Sequence, residues 1–535
     1  MIEIPLRAQR TTGAKIIPAG RLEGNHLASE TLHCLRRAAI ILLPFGFLLS
    51  GIVPLHSQEK QPIGVMVGWD TVIRVSRTTP SLLYIATPLS KRDSPLREPM
   101  LAAIRELGAD YVRYGPCNDY PHLTIAELEP PGKTSTSWDF SHVDAMTEDA
   151  VSAIKGHPFI LTFSTIPEWM FKTPQSVAYP ADPDQLFFEY EQGTELRDPT
   201  YREVADYFAR VVSWHVKGGF TDELGKWHAS GHHYKVDYWE VLNEPNIEHR
   251  LSPQTYTGIY DAVVKAVRKV SPQTKFIGLV NSDPPSNSKY FDYFLDPKHH
   301  KPGIPLDAIS FHFYAGPEDA SEPEQDYPVT FFAQADRFLW LVSYISTMRD
   351  RLSPGTRLMA DEIGTGMPND GPEWKPQYAS IPSSYWNLSA ALYAYVFAGL
   401  AVRGVDLVTE SMMPAYPGQF PDIALLDWQT GQVNGRYLAL KLLHDHFRPG
   451  DKIVQTSTNS GYVLAQGFVS PSGERKLLLV NKSPQEFQIN LPEARGAKFE
   501  IIDLATGSNP PRTGTVEGPT FNLGGFGVAA LRFAK

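Results

Sequence analysis

The stretch VDYWEVLNEPN, residues 236–246, decides the fold. Its first part, Val236–Asn243, is apolar almost throughout, as expected of a strand that is buried on both faces of a parallel sheet. An Asn-Glu-Pro turn ends this strand, and a helical pattern over Tyr256–Val270 and a second apolar run over Lys275–Val280 follow. A strand, a helix and a strand in this order predict two parallel strands joined by a helical crossover.

The same unit recurs from about residue 80 to residue 411. The predicted strands are Ser81–Thr87, Asp110–Gly115, Pro158–Ser164, Val236–Asn243, Lys275–Val280, Asp307–Ala315, Arg357–Glu362 and Val405–Ser411. The predicted helices are Pro95–Leu107, Val143–Lys155, Tyr201–Val216, Tyr256–Val270, Ala333–Arg351 and Ser384–Ala401. Eight strands that alternate with helices indicate a (β/α)₈ TIM barrel, an α/β fold whose functional sites lie at the C-terminal ends of its strands. An open doubly wound sheet is the alternative, but no glycine-rich phosphate loop follows an early strand.

The sequence changes character after about Gly435, where short alternating runs are separated by turn residues. These runs are Tyr462–Phe468, Lys476–Val480, Phe487–Leu491, Phe499–Leu504 and Gly527–Phe533. They are typical of a small antiparallel β-sandwich. We therefore expect the barrel in residues 80–432, the sandwich in residues 433–535, and an N-terminal segment, 58–79, that could pair with the sandwich. The long loop Thr165–Pro199 is expected to lie over the barrel mouth, because loops of this length in compact domains are often functional.

The N-terminus has the pattern of an export signal. Two basic residues, Arg36-Arg37, precede the apolar run Ala38–Leu55, and a possible cleavage point follows near Ser57. A membrane anchor is the alternative, since the run is nearly long enough to span a bilayer. Its prolines and glycines make it a poor helix, however. We expect residues 1–57 to be a signal peptide with a long region before the apolar run, and the mature protein to be secreted or periplasmic without a stable membrane anchor.

Composition excludes some classes of protein. The 49 basic and 59 acidic side chains give a formal net charge of −10, whereas a nucleic-acid-binding protein usually has a basic face. The two cysteines are Cys34 and Cys117, and Cys34 lies within the expected signal peptide. Neither a disulfide framework nor a cysteine metal cluster is therefore expected. We expect no cofactor and no metal, and the sequence leaves the oligomeric state open.

Glu244 is the first candidate for proton transfer. The tripeptide Asn243-Glu244-Pro245 places an amide and a carboxyl at the end of a barrel strand. A glutamic acid in a partly desolvated cleft can keep its proton near neutral pH, and cleavage of a glycosidic bond needs such a donor beside the leaving oxygen. The amide of Asn243 could bind the 2-OH of the sugar. The alternative is a turn or an N-cap at an ordinary strand end.

Glu362 is the second candidate. The strand RLMADEIGTG, residues 357–366, is the seventh by our count and the strand before Glu244 is the fourth, so the two carboxyls face each other across the barrel. Retaining glycosidases hold such a pair about 5–5.5 Å apart, and one carboxylate acts as the nucleophile. Asp361 is a rival within this motif. Because neighbours along a strand point to opposite faces, the residue nearer the turn, Glu362, is expected in the cleft.

Three further residues could support this pair. His312 and Tyr314 share one face of the sixth predicted strand by the two-residue period. A tyrosine hydroxyl that donates to the nucleophile would keep it ionised and oriented. Arg113 lies within an apolar strand and needs a partner, which a buried carboxylate such as Glu362 would supply.

These motifs together resemble the clan A glycoside hydrolases, and within them glycoside hydrolase family 39, which contains β-xylosidases and α-L-iduronidases. The resemblance covers most of the chain from about residue 80 and includes the sandwich. It is carried by Tyr111–Tyr114, Trp138–Phe140, Phe163–Pro167, Trp239–Asn246, Asp361–Thr365 and Leu426–Gly431. It implies that Glu244 is the acid/base and Glu362 the nucleophile. It also implies that Asn243 binds the 2-OH and that Arg113, His312 and Tyr314 support the subsite of the cleaved sugar.

The resemblance fails at the eighth strand. Clan members often have a tryptophan at its end beneath the sugar, but Val405–Met413 has none. Trp169, Trp386 or Trp428 could take its place, and we expect Trp169 to contact the substrate. The sequence therefore predicts a secreted retaining glycosidase with a carbohydrate substrate, an exo-acting enzyme similar to β-xylosidases.

Three other functions stay open at this point. The sugar could be a galactoside, an arabinoside or a uronide. The barrel could also be a carbohydrate-binding protein without activity, although two carboxylates at separate strand ends argue against that. The third function is metal-dependent hydrolysis, but the sequence has no HExxH motif. The side chains of the adjacent pair His232-His233 would point in divergent directions.

Overall fold

The computed structural model describes residues 62–163, 165–187, 193–282, 284, 288–367 and 381–534. The predicted signal peptide lies outside these residues. The strands, numbered along the chain, are β1 (Ile63–Val75), β2 (Thr79–Ala86), β3 (Val112–Pro116), β4 (Phe159–Leu161), β5 (Gly219–Thr221), β6 (Trp227–Ala229), β7 (Tyr238–Glu240), β8 (Lys275–Asn281), β9 (Ala308–Ala315), β10 (Arg357–Thr365), β11 (Leu407–Met413), β12 (Lys452–Thr458), β13 (Val463–Val469), β14 (Arg475–Asn481), β15 (Phe487–Asn490), β16 (Lys498–Ile502), β17 (Arg512–Thr515), β18 (Thr520–Leu523) and β19 (Val528–Arg532). The helices are α1 (Arg97–Leu107), α2 (Pro121–Thr124), α3 (Asp144–Ala153), α4 (Arg202–Val216), α5 (Pro253–Val270), α6 (Ser288–Phe294), α7 (Tyr327–Leu352), α8 (Ser383–Arg403) and α9 (Gly435–His446).

Eight parallel strands close into a barrel in the order β10-β11-β2-β3-β4-β7-β8-β9. The ring closes where β9 pairs with β10. All eight strands that the sequence predicted are present, and the (β/α)₈ barrel is confirmed. A side chain at the C-terminal end of one strand therefore shares the barrel mouth with the C-terminal ends of the other seven.

Helices cover the outside of the barrel through their apolar faces. On α5, for example, Ile259, Val263 and Val267 are completely buried, and their spacing of four residues places them on one side of the helix. Among the described helices, only α8 is long and apolar enough to span a membrane by length and composition. Most of α8 is buried inside the protein, as expected of a core helix in a large barrel.

The second domain is a curled sheet in the order β17-β16-β19-β14-β13-β12-β1-β15-β18. It encloses its own apolar core, to which Trp69, Leu477 and Phe521 contribute. The predicted C-terminal β-sandwich is confirmed. Its strand β1 precedes the barrel in sequence and pairs antiparallel with β12 and, over Ile63–Gly64, parallel with β15.

The junction between the domains lies later than predicted. We expected the sandwich to begin at residue 433, but α9 packs on the barrel instead. The Tyr437 hydroxyl donates to the carbonyl of Ala103 on α1 at 2.7 Å, and Arg436 is paired with Glu410 on β11. Because α9 follows the eighth barrel strand and covers the barrel, it completes the last strand–helix unit.

The long loop after β4 lies over the ends of the strands, as expected. The N–H of Phe187 donates to the carbonyl of Asp119, in the segment after β3, at 2.9 Å. The ring of Phe171 stacks on His249, in the segment after β7, with their centroids 4.4 Å apart. The described parts of this loop therefore contact the segments that follow two of the barrel strands.

Candidate active site

Glu244 lies in the turn after β7, at the C-terminal end of the barrel. Its φ is 37° and that of Leu242 is 68°, both in the left-handed region that residues other than glycine rarely adopt. The N–H of Glu244 donates to the carbonyl of Val280 on β8 at 3.0 Å, which fixes the turn against the neighbouring strand. Strained positions of this kind persist where surrounding contacts hold them, and they are frequent in active sites.

Glu362 lies near the end of β10, next to a β-bulge. Ala360 pairs with Phe311 and Glu362 pairs with His312, so Asp361 is the extra residue of the bulge. Asp361 and Glu362 consequently lie on the same side of the strand, and both contact His312. Our expectation that the two carboxylates point to opposite faces is wrong, because the bulge interrupts the simple alternation of side chains.

The two glutamates meet at His312. The Nδ1 atom of His312 lies 2.7 Å from Glu244 Oε1 and 3.4 Å from Glu362 Oε2. One oxygen of each glutamate and this nitrogen all lie within 4.8 Å of one another. The side chains of Glu244 and Glu362 are 18% and 14% exposed, whereas that of His312 is 1% exposed. A molecule that enters from solvent can therefore reach the carboxyls, and the imidazole lies behind them.

Arg113 on β3 provides a positive charge beside the carboxylates of Glu240 and Glu362. Its Nε donates to both oxygens of Glu240, at 2.9 and 2.8 Å, and its Nη1 donates to Glu362 Oε1 at 2.5 Å. Its Nη2 donates to Asn243 Oδ1 at 2.8 Å. Glu362 is thus the partner that the sequence analysis proposed for this arginine. Glu240, on β7, is a second partner that the sequence analysis missed.

Burial and the neighbouring charges act differently on the two fully buried carboxyls Glu240 and Asp361. Burial raises the pKa of Glu240, although the charge of Arg113 lowers it. Burial also opposes ionisation of Asp361, but the hydrogen bond with His312 and the charge of Arg113 together lower its pKa. Asp361 is therefore an anion behind His312 at neutral pH, whereas burial and the guanidinium of Arg113 act on the pKa of Glu240 in opposite directions.

His312 and Tyr314 both contact the proposed nucleophile. Burial lowers the pKa of His312, but the charge of Glu362 and the hydrogen bonds with Asp361 and Glu244 outweigh it and raise the pKa well above the ordinary value. Burial and the charge of Glu362 raise the pKa of Tyr314 well above its usual range. Its hydroxyl keeps its proton and donates to Glu362 Oε2 at 2.7 Å.

Asn243 is held in one orientation by two partners. Its Oδ1 accepts from Arg113, and its Nδ2 donates to Glu248 Oε1 at 2.8 Å. Glu248 Oε1 also accepts a hydrogen bond from Asn118 Nδ2 at 2.8 Å. Burial raises the pKa of Glu248 well above its ordinary value, so this carboxyl is neutral. Glu248 and Asn118 were not found from the sequence, because both lie in loops and only the fold brings them together.

The eighth strand carries a buried ion pair at its centre, in a strand whose end has an aromatic residue in the proteins that the sequence resembles. Glu410 and Arg436 are both fully buried, and Arg436 Nη2 lies 2.6 Å from Glu410 Oε1. This pair ties β11 to α9. It could have been suspected from a glutamate within an otherwise apolar run, in the same way as Arg113.

The structure does not support the predicted substrate contact of Trp169. Its ring is covered by the guanidinium of Arg197, 4.5 Å from the ring centroid, and its N–H donates to the carbonyl of Glu127 at 2.9 Å. Among the described contacts, none joins Trp169 to the two glutamates. The loop folds back on itself here, so the indole stabilises the loop.

Glu244, His312 and Glu362 are close enough together to hold a metal ion. Two positive charges already occupy their polar atoms, however. His312 is cationic and lies against Glu244, and Arg113 donates to Glu362. Nearby cations disfavour a further cation, so the arrangement is better suited to proton transfer than to metal binding.

One family model matches part of the second domain, and solved structures share the fold of the chain. A family model described as "D-apionate lactonase, C-terminal immunoglobulin-like domain" matches residues 461–531, within the sandwich. No curated protein sequence matches the chain.

Many solved structures are similar to the chain. The GH51 arabinofuranosidase from Xanthomonas axonopodis pv. citri is 12% identical with a TM-score of 0.60, over 88% of this chain and 100% of that one. A glucosidase from Croceicoccus marinus is 15% identical with a TM-score of 0.55, over 89% and 99%. A GH30 endoxylanase from Clostridium papyrosolvens C71 is 12% identical with a TM-score of 0.51, over 89% and 100%. At these identities the likeness shows that this chain shares the fold of these enzymes, a (β/α)₈ barrel with a β-sandwich.

Proposed function

We propose that this protein is a glycoside hydrolase that works by retaining double displacement. The observation that carries the proposal is the pair Glu244 and Glu362, with carboxyl oxygens within 4.8 Å at the open end of the barrel. This separation is close to the roughly 5–5.5 Å of retaining enzymes and well below the roughly 6.5–9.5 Å that inverting enzymes need for a water molecule.

In this proposal Glu362 is the nucleophile. Arg113 and Tyr314 each donate to one of its oxygens, which fixes the orientation of the carboxylate towards the sugar carbon. Glu244 donates a proton to the leaving oxygen, and the bond between the sugar carbon and that oxygen breaks as Glu362 forms an ester. Glu244 then takes a proton from water, which attacks the ester and releases Glu362.

The sugar is proposed to be a pentoside, in an exo-acting enzyme similar to β-xylosidases. Two lines of support favour this class, although a glucosidase is also among the similar structures. The sequence resembles the family that contains β-xylosidases, and the similar structures include an arabinofuranosidase and an endoxylanase by their descriptions. Galactosides and uronides are the alternatives that the sequence leaves open. The absence of a tryptophan from β11 affects the choice of sugar more than the mechanism.

The test is hydrolysis of a panel of nitrophenyl glycosides, beginning with xylosides and arabinofuranosides. Glu362→Ala should abolish turnover of every substrate, whereas Glu244→Ala should retain turnover of activated aryl glycosides. For a β-glycoside, azide should give a β-glycosyl azide with the Glu244 variant and an α-glycosyl azide with the Glu362 variant. The reverse pattern would exchange the two roles, and two fully active variants would refute the assignment.

A second function is hydrolysis of a sugar lactone. The observation that favours it is the match of residues 461–531 to a domain of a lactonase family. A lactone carbonyl could be attacked by Glu362 or by water that Glu362 activates. Acid release from aldonolactones, followed at constant pH, separates the two functions: turnover of lactones without turnover of any glycoside would replace our first proposal.

We further propose that the protein is exported and that residues 1–57 are removed. The support is the order of basic, apolar and polar segments around Ala38–Leu55. N-terminal sequencing of the protein from a secreting culture should give a start near Gln58. An intact start at Met1 would refute removal of the segment.

A further inference from the structure

We propose that His312 carries the catalytic proton before the substrate reacts, and that it links the charge of Glu362 to protonation of Glu244. The proposal rests on the function proposed above and deepens it. The acid/base is then a pair of residues that holds one proton between them, rather than Glu244 alone. His312 acts through Glu244 and is a positioning residue in this sense.

The geometry of His312 carries this inference. A single nitrogen, Nδ1, lies 2.7 Å from Glu244 and 3.4 Å from Glu362, so it contacts both proposed reacting carboxyls. The other nitrogen, Nε2, lies 3.3 Å from Asp361 Oδ1, within ion-pair distance. The ring is thus enclosed by three carboxyls on two sides and has almost no contact with solvent. Such surroundings favour the imidazolium over the neutral ring.

The remaining charged groups around the ring agree with this assignment. On β3, Arg113 is a cation, but it is bound to Glu240 and Glu362. On β9 itself, Tyr314 is neutral and donates to Glu362. On β8, the neighbouring Asn281 carries no charge. The anions nearest to the ring therefore outnumber the cations, and burial strengthens their effect.

The consequence for the reaction follows from the charge on Glu362. In the resting state this charge stabilises the imidazolium, and Glu244 accepts its hydrogen bond as a carboxylate. When Glu362 forms its ester with the sugar, the charge disappears and the imidazolium loses one of its three anions. In the same step the proton passes from Nδ1 through Glu244 to the leaving oxygen as the bond between that oxygen and the sugar carbon breaks, so that the pair ends as neutral imidazole and carboxylate.

The proton can be located without any substrate. In protein with ¹⁵N-labelled histidine, the nitrogen shifts distinguish imidazolium from neutral imidazole, and His312→Gln identifies the signal. We expect His312 to be imidazolium at pH 7 in the wild type. In Glu362→Gln its titration midpoint should fall by about one pH unit or more, as expected on loss of an anion within about 4–6 Å. His215 is the internal control, because it is buried in the core with its pKa lowered to about 3, and it should stay neutral throughout.

A neutral His312 at pH 7, or an unchanged midpoint in Glu362→Gln, would overturn the proposal. Steady-state kinetics give a second test of the proposal. His312→Gln should slow an unactivated phenyl glycoside at least about tenfold more than a dinitrophenyl glycoside, which hardly needs the proton. Equal losses with both substrates would mean that His312 only fixes the geometry. If the wild type cleaves no glycoside, the proposed function fails, and the titration still decides where the proton rests.

Discussion

Replacement of Arg113 by methionine tests the electrostatic basis of the site. The variant keeps most of the side-chain volume but leaves Glu240, Asp361 and Glu362 without their shared cation. The arginine side chain is 3% exposed and donates to two carboxylates and one amide. Loss of the charge-assisted contacts with two carboxylates, at about 1.5–3 kcal/mol for each carboxylate, suggests a loss of about 3–6 kcal/mol. This agrees with the roughly 3–5 kcal/mol that results when one partner of a buried pair is removed.

The pH dependence of this loss has a defined sign. The pKa of Asp361 is lowered in the folded protein, so its stabilising contribution is present above the ordinary value of about 3.9 and is lost as the pH falls below it. Without Arg113 one of the causes of the lowered pKa of Asp361 is gone, so the contribution of Asp361 to the free energy of unfolding at neutral pH becomes smaller. The variant and the wild type should therefore differ most near pH 7 and converge as the pH falls from about 4 towards the lowered pKa of about 2.

The assay is urea unfolding of wild type and variant at pH 7 and at lower pH. Arg202→Met is the matched control, because Arg202 is 84% exposed and its pair with Asp206 is 3.5 Å long on the surface of α4. It should change the free energy of unfolding by less than about 1 kcal/mol. An Arg113 variant as stable as this control at pH 7 would show that the buried carboxyls do not depend on the guanidinium.

Variants at three other positions test separate parts of the molecule. Tyr314→Phe removes the hydroxyl that donates to Glu362 and should lower kcat by about 10- to 100-fold in steady-state kinetics. Circular dichroism should show that the variant remains folded. An unchanged kcat would argue against the contact. Glu248→Gln should lower kcat/KM by less than about threefold, because the carboxyl is already neutral and a glutamine can accept the same hydrogen bond from Asn243. Glu248→Leu cannot accept this bond and should lower kcat/KM at least about tenfold. Equal losses in the two variants would indicate an ionised Glu248. Trp69→Ala should destabilise the sandwich by about 3–5 kcal/mol in thermal or urea unfolding, and a loss below about 1 kcal/mol would mean that β1 contributes little to that core.

The barrel could be predicted from the sequence because its strands are buried on both faces. Each strand is then a short apolar run, and the runs alternate with amphipathic helices, so their number and order are visible without any contact information. Glu244 and Glu362 stand out for the same reason, as carboxyls at the ends of apolar runs. The helix α9 was missed because it follows a turn-rich segment, which predicts a domain boundary at residue 433 although the barrel continues through α9.

The remainder of the site depends on contacts that no local pattern records. The bulge at Asp361 arises from the register between β9 and β10, which is set by packing across the sheet. Glu248 and Asn118 lie 130 residues apart in the chain. Glu240 is the exception, because the argument that a charge within an apolar strand needs a partner applies to it as it does to Arg113.

The strand β1 makes the second domain discontinuous in the chain. During synthesis Ile63–Val75 emerges first, and both of its neighbours in the sheet, β12 and β15, follow only after the entire barrel. The sandwich therefore cannot be completed until almost the whole chain is made. A fragment cut at residue 433 would lack a strand from the middle of its sheet, leaving β12 and β15 with open edges that invite pairing with other chains. For expression, this protein must be handled as one folding unit from Ile63 to its last strand.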